Sequence, residues 1–273
     1  MTATPAQWLL ASPLPKTEAR MLLQHASGMS RAQLITRDRE PLAADTLATL
    51  NALAERRAQG EPMAYILGER EFYGRSFTVS PAVLIPRPET EHLVEAALAH
   101  LPQGGRVWDL GTGSGAIALT IALERPDAQV RASDISPDAL AVAAQNARRL
   151  GANIEFAHGS WFAVDKPSEQ HSYDIIVSNP PYIEAGDAHL HQGDLRFEPP
   201  HALTDFSDGL SCIRALAAGA ADYLKPGGWL LIEHGYDQGA AAREILQAAG
   251  WQDVATLADL AGLDRITLGR KTG

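Results

Sequence analysis

The sequence predicts an α/β fold: a doubly wound, mostly parallel sheet with helices on both faces, preceded by a small N-terminal helical domain. Three observations carry this. From Arg106 to Gly269, short strand-like runs alternate with Ala- and Leu-rich helical runs, the order that builds parallel βαβ units. A cluster of glycines separates the first of those strands from the helix after it. Before residue 58 the texture is helical throughout, with breaks at Ser12-Pro13, Gly28 and Pro41.

In the helical part, Leu47, Leu50 and Ala54 share one face, as a small bundle requires. Between Gly60 and Pro88, Tyr65, Ile66, Phe72, Tyr73, Phe77 and Val79 are interrupted by Gly68, Gly74 and Pro81, which suggests a hairpin-like connector. The expected organisation is therefore residues 1–75 for the helical domain with its connector and 76–273 for the α/β domain. Within the latter, strands are expected at Arg106–Leu110, Gln129–Asp134, Ile154–Ala157, Asp174–Val177, Trp229–Glu233 and Arg265–Gly269. Helices are expected at Ala116–Leu123, Pro137–Leu150 and Gln238–Ala249.

The bulk numbers bound what this fold serves. With 273 residues, 45% hydrophobic and 21% charged, the chain is globular in composition and long enough for two domains. A net charge of −10 supplies no phosphate-neutralising excess, so no nucleic-acid partner is expected. No apolar run approaches the roughly 18 residues of a membrane span, and Met1 to Trp8 lack the basic start of an export signal. A lone Cys212 cannot form an internal disulfide and reads as core filling in a reducing compartment. A cytoplasmic protein, expected to be monomeric and without membrane contact, follows.

In open α/β sheets ligands sit at the carboxyl ends of the strands, beside the switch point. There the first strand runs into Asp109-Leu-Gly111-Thr112-Gly113-Ser114-Gly115, where three glycines in five residues exceed what a tight turn needs and let a ligand approach the backbone at a helix start. The second strand ends at Asp134, 19 residues beyond Gly115, where a carboxylate can accept from ribose hydroxyls. Asp134 can equally favour the dipole of the helix that Ser136 and Pro137 begin. Trp161 can stack on an adenine or fill the core. The loop itself does not choose the cofactor, because Gly111-x-Gly113-x-x-Ala116 also suits a nicotinamide dinucleotide, although no Tyr-x-x-x-Lys pattern accompanies it.

The fourth strand delivers Asn179-Pro180-Pro181-Tyr182 at its carboxyl end, beside the glycine loop. Average usage predicts this tetrapeptide in roughly one chain per thousand of this length. A planar amide or adenine amino nitrogen is a poor nucleophile, so a transferase must hold it in line with a sulfonium methyl group. The Asn179 side-chain oxygen and the Pro180 carbonyl, fixed by a rigid Pro-Pro pair, supply two acceptors for its two hydrogens. Tyr182 would pack against the flat group. Those acceptors also favour the positive charge that grows on nitrogen during transfer, and the scheme requires no metal. Chemistry alone leaves an amide and an adenine as equal targets.

These residues, together with Pro86-Arg87-Pro88-Glu89-Thr90-Glu91, Phe197-Glu198-Pro199, Asp208-Gly209-Leu210, Glu233-His-Gly235 and Asp264-Arg265, resemble the HemK/PrmC family, the peptide chain release factor glutamine methyltransferases. The likeness covers nearly the whole chain. It implies a Rossmann-like S-adenosylmethionine-dependent methyltransferase fold, with Gly111 to Gly115, Asp134, Trp161 and Asn179 at the S-adenosylmethionine site. It also implies that Asn179 to Tyr182, Pro181 included, bind the glutamine of a Gly-Gly-Gln motif in class I release factors, with S-adenosylhomocysteine as product. Ser160 stands where many relatives of the wider class carry an acidic residue. The resemblance makes the N-terminal helices a substrate-docking module. Pro86 to Glu91 read either as a proline-started helix or as pocket wall, and His234 reads as structural, since amide methylation by acceptor placement needs no imidazole.

Overall fold

The computed structural model describes residues 3–164 and 170–273; Met1 and Thr2, where the export reading began, lie outside it. The chain divides into two compact units, the first ending at Glu69 and the second running from Arg70 to Gly273. The division falls inside the stretch read as a connector, six residues before the boundary expected at 75.

The first unit is helical: α1 Pro5–Ala11, α2 Lys16–Ser27, α3 Arg31–Thr36, α4 Ala44–Ala58 and α5 Met63–Leu67. Thr4 and Ser30 cap α1 and α3 by reciprocal bonds with Gln7 and Gln33, and Gly28 in the left-handed region ends α2. Trp8, Leu22, Leu23, Leu34, Leu50, Leu53 and Ile66 form its core, with Leu47 and Ala54 packed against it. Glu18 and Arg57 close a two-bond ion pair at 2.8 and 2.9 Å. Tyr65, Ile66 and Leu67, expected in a hairpin, belong instead to α5, because Pro62 starts a turn of helix that Gly68 ends. The hairpin follows as β1 Glu69–Phe72 and β2 Arg75–Thr78, turning through Tyr73 and Gly74, both at positive φ.

The second unit carries a seven-stranded sheet. Its elements are α6 Glu91–His100, β3 Arg106–Leu110, α7 Ala116–Glu124, β4 Gln129–Asp134, α8 Pro137–Leu150, β5 Glu155–His158, β6 Tyr173–Ser178, α9 Pro200–Leu203, α10 Ser211–Gly219, β7 Leu224–Glu233, α11 Gly239–Ala248, β8 Gln252–Ala258 and β9 Asp264–Arg270. Strand order is β5-β4-β3-β6-β7-β9-β8, all neighbours parallel except the pairs that β9 makes with β7 and β8. The order reverses between β3 and β6, so the two motif-bearing strands lie side by side as expected.

Alternation along the central strands builds two cores. Val107, Ile175, Val177 and Leu231 meet α6, α7 and α8, while Trp108, Ile176, Leu230 and Ile232 meet α10 and α11. β8 has no counterpart in the sequence expectations. It is an edge strand whose residues are mostly exposed, so it lacks the apolar run that marks its neighbours.

Candidate active site

A cavity of about 410 Å³ opens at the carboxyl ends of β3, β4 and β6. Of the residues singled out above, Gly111, Thr112, Gly113, Ser114, Asp134, Trp161, Asn179 and Pro181 line it, whereas Gly115, Pro180 and Tyr182 are not among the lining residues. Pro86, Arg87, Thr90, Ser160 and Cys212 line it as well. The volume falls in the range of small-molecule clefts, roughly 300–1,000 Å³.

The glycine loop owes its shape to backbone that only glycine adopts readily. Gly111, Gly113 and Gly115 have φ of 76°, 56° and 83°. A Cβ on Gly113 would meet nothing within 4 Å, and one on Gly111 only the Trp161 ring at 3.7 Å, so the cradle stays open on its ligand side. Behind it, Asp109 accepts from the Thr112 hydroxyl at 2.6 Å, and burial pushes its carboxyl up to about 7. Asn146, fully buried on α8, donates to the Ser114 carbonyl at 2.9 Å and bonds Thr78 in both directions, tying the loop to β2. No sequence signal identified Asn146, whose partners lie 32 and 68 residues away.

Asp134 lines the cavity and also serves the start of α8. Its Oδ1 accepts from the Ser136 amide and its Oδ2 from the Gly113 amide, each at 2.9 Å, and Ser136 caps α8. A carboxylate oxygen has a second lone pair, so the side chain that closes the loop can still accept from ribose hydroxyls. Trp161 packs on the α10/α11 core while lining the cavity, with φ at 44°.

Around Asn179, segments far apart in sequence converge. Glu198, its side chain fully buried, pairs with Arg87 and accepts from the Ile85 amide at 3.0 Å, which clamps Pro86-Arg87-Pro88 as a wall. The same segment turns through Pro88–Thr90 into α6, so it is helix start and pocket wall together. Gln238 bridges three loops: its Oε1 accepts from the Gly235 amide at 2.9 Å, and its Nε2 donates to the carbonyls of Tyr182 at 2.9 Å and Gly209 at 3.2 Å. His234 uses both ring nitrogens, toward the Gly235 carbonyl and the Thr267 hydroxyl, each at 2.8 Å, and burial lowers its pKa. It is a strut between β7 and β9.

Asn179 itself donates through Nδ2 to Thr90 Oγ1 at 3.2 Å. Its Oδ1 is a buried acceptor without a hydrogen-bond partner among the described residues. Glu233, whose carboxyl burial pushes up to about 7, stands beside Thr90 and Asn179. Burial also raises the Tyr182 phenol above its ordinary range, with Glu233 adding to the shift and Arg265 opposing it.

The donor set fits S-adenosylmethionine: a glycine cradle at a helix start, a carboxylate for the ribose, and an aromatic wall formed by Trp161. Comparison with known proteins agrees. Residues 6–68 match the family described as PrmC N-terminal domain and residues 89–194 the methyltransferase small domain. A release factor glutamine methyltransferase of Neisseria gonorrhoeae is 67% identical over 264 residues, covering 97% of this chain and 96% of its own. One from Burkholderia pseudomallei is 53% identical over 279 residues, covering 99% and 97%. Among solved structures, a methyltransferase from Pyrococcus furiosus aligns with a TM-score of 0.56 at 19% identity, over 80% of this chain and 98% of that one. The T. thermophilus 16S rRNA N2 G1207 methyltransferase, in complex with AdoMet and guanosine, aligns at 0.54 and 21% identity, over 74% and 49%. These two likenesses establish the sheet architecture.

Proposed function

The chain belongs to the family of release factor glutamine methyltransferases, and from that premise we propose that it methylates the side-chain amide nitrogen, N5, of the glutamine in the Gly-Gly-Gln motif of class I release factors. It does so in translation termination, in the cytoplasm, as a monomer, with no nucleic acid as substrate. The single observation that carries the chemistry is the Asn179 Oδ1 atom, buried at the carboxyl end of β6 and unpartnered, while the other end of the same amide is tied to Thr90. A buried acceptor left in that state costs free energy until a donor arrives, and a carboxamide –NH2 is such a donor.

Bound S-adenosylmethionine supplies an electrophilic methyl group, whose carbon–sulfur bond breaks as the carbon–nitrogen bond forms, leaving S-adenosylhomocysteine. The protein's own residues do the rest. Gly111 to Gly115 and Asp134 hold the nucleoside end, and Trp161 packs on its adenine. Asn179 Oδ1 and the Pro180 carbonyl take the two amide hydrogens, which turns the nitrogen lone pair toward the methyl group and fixes its approach. Tyr182 packs against the amide plane. As positive charge develops on nitrogen, both acceptors bind it more strongly than they bind the ground state, so their effect appears in turnover. The surplus proton leaves the methylated nitrogen for solvent. The N-terminal helices serve as the docking module for the release factor.

Incubation of the protein with S-adenosylmethionine and a release factor, followed by mass spectrometry of the digested product, tests this. One added methyl on the Gly-Gly-Gln glutamine is expected. Methyl transfer to duplex DNA and none to the release factor would overturn it.

A further inference from the structure

Beside the reaction loop, two buried acceptor atoms have no hydrogen-bond partner among the described residues, Asn179 Oδ1 and Glu233 Oε2. They are neighbours by construction. β6 and β7 run parallel with Ser178 opposite Ile232, so Asn179, just past the end of β6, and Glu233, the last residue of β7, follow side by side. Thr90, itself 4% exposed, sits against both: its hydroxyl oxygen accepts from Asn179 Nδ2, and the hydroxyl and the amide both favour the charged form of the Glu233 carboxyl.

A primary amide rotated by 180° has the same shape and the opposite hydrogen bonding. What selects one orientation is the chemistry at each end. Here Nδ2 is flanked by the Glu233 carboxyl and by the Thr90 oxygen, whose own proton is given to that carboxyl, so both act toward the amide as acceptors. The rotated amide would turn Oδ1 toward those acceptors, lose the bond to Thr90, and present a donor where the target nitrogen brings its own donors. We propose that Thr90 and Glu233 are positioning residues that lock the Asn179 amide with its oxygen toward the reacting nitrogen, and so make the site selective for a group carrying N–H donors. The proposal rests on the glutamine-methylation reading of the same site. Both lie in segments that the sequence singled out, Pro86 to Glu91 and Glu233-His-Gly235, but nothing there tied either to Asn179, from which 89 and 54 positions separate them.

The test compares Thr90→Val and Thr90→Ala, which remove the hydroxyl, with Thr90→Ser, which keeps it, and combines Thr90→Val with Glu233→Gln. Turnover on a release factor and calorimetric affinity for S-adenosylhomocysteine are the readouts. Removing the hydroxyl is expected to lower kcat about ten- to a hundredfold while KM and cofactor affinity change by no more than about threefold. Thr90→Ser is expected to return most of the activity, and the double variant to lose less than the product of the single losses. Should Thr90→Val fail to fold, the Ala and Ser variants carry the same comparison. Equal losses in all Thr90 variants, or parallel losses of turnover and cofactor affinity, overturn the proposal and leave the methylation reading standing. A wild-type protein that leaves the glutamine unmethylated overturns both.

Discussion

Gly209 lies 27 residues beyond Tyr182, yet the structure makes it a support of the reaction loop, and its replacement by alanine has an effect that can be worked out. Its φ is +75°, and an added Cβ would stand 2.5 Å from the Tyr182 carbonyl oxygen and 2.8 Å from Gln238 Nε2. The left-handed conformation alone costs about 1–2 kcal/mol with a side chain present. Both atoms met by the methyl group belong to the hydrogen bond that holds Tyr182, so relief requires that bond to open, at about 0.5–1.5 kcal/mol more. The expected destabilisation is roughly 1.5–3.5 kcal/mol, or about 3–14 °C in Tm for a unit of this size. Gly74→Ala is the control. Its φ is +71° with nothing within 4 Å of the new methyl group, so it should show the backbone cost alone. Scanning fluorimetry of both variants measures the difference, and turnover on a release factor should fall further in Gly209→Ala than in Gly74→Ala. Equal shifts in Tm together with equal turnover would refute the reasoning, since they would mean that Tyr182 is not held through Gly209.

Three further outcomes are expected. Asn179→Ala should lower turnover by about 100-fold or more while leaving S-adenosylhomocysteine affinity within a few-fold, measured by calorimetry beside single-turnover assays; comparable losses in both would indicate a folding defect. Burial raises the Asp109 carboxyl from an ordinary 3.8 to about 7, so the folded protein binds a proton that the unfolded chain has lost. The stability this contributes is complete below pH 4 and disappears as pH rises to 7, on the order of 4 kcal/mol. Asp109→Asn keeps the shape and loses that slope, so the gap in unfolding free energy between variant and wild type should widen in the variant's favour from pH 5 to pH 7.5; a constant gap refutes it. Burial also pushes the Cys212 thiol up to about 11, and the residue lines the cavity, so a thiol reagent at pH 8 should react slowly and more slowly still with S-adenosylhomocysteine present. Fast labelling that ignores the cofactor would show Cys212 to be open to solvent.

The glycine loop and Asn179-Pro180-Pro181-Tyr182 were legible in the sequence because their chemistry is contiguous: a strand end, a turn and the reacting groups fall within a few residues. The supports were not. Glu198 answers Arg87 across 111 positions, Gln238 answers Tyr182 across 56, and Asn146 answers Thr78 across 68. Such pairs leave no periodicity, so only the folded chain reveals why Phe197-Glu198-Pro199, Asp208-Gly209-Leu210 and Glu233-His-Gly235 accompany the reaction motif. β8 was missed for the opposite reason, since an exposed edge strand carries little of the apolar pattern that identifies its neighbours. The stretch before the hairpin misled because Tyr65, Ile66 and Leu67 suit a strand by type, while Pro62 and Gly68 confine them to one short helix.

Strand order also fixes a sequence of events during synthesis. β9 is made after every other strand of the sheet, yet it lies between β7 and β8 rather than at the margin. Until residues 264–270 have left the ribosome, β7 presents an unpaired edge, β8 has no neighbour to join, and Arg265 cannot bring its backbone carbonyl to His234. The nascent chain therefore holds its glycine loop and its reaction motif before it holds the strand that braces them.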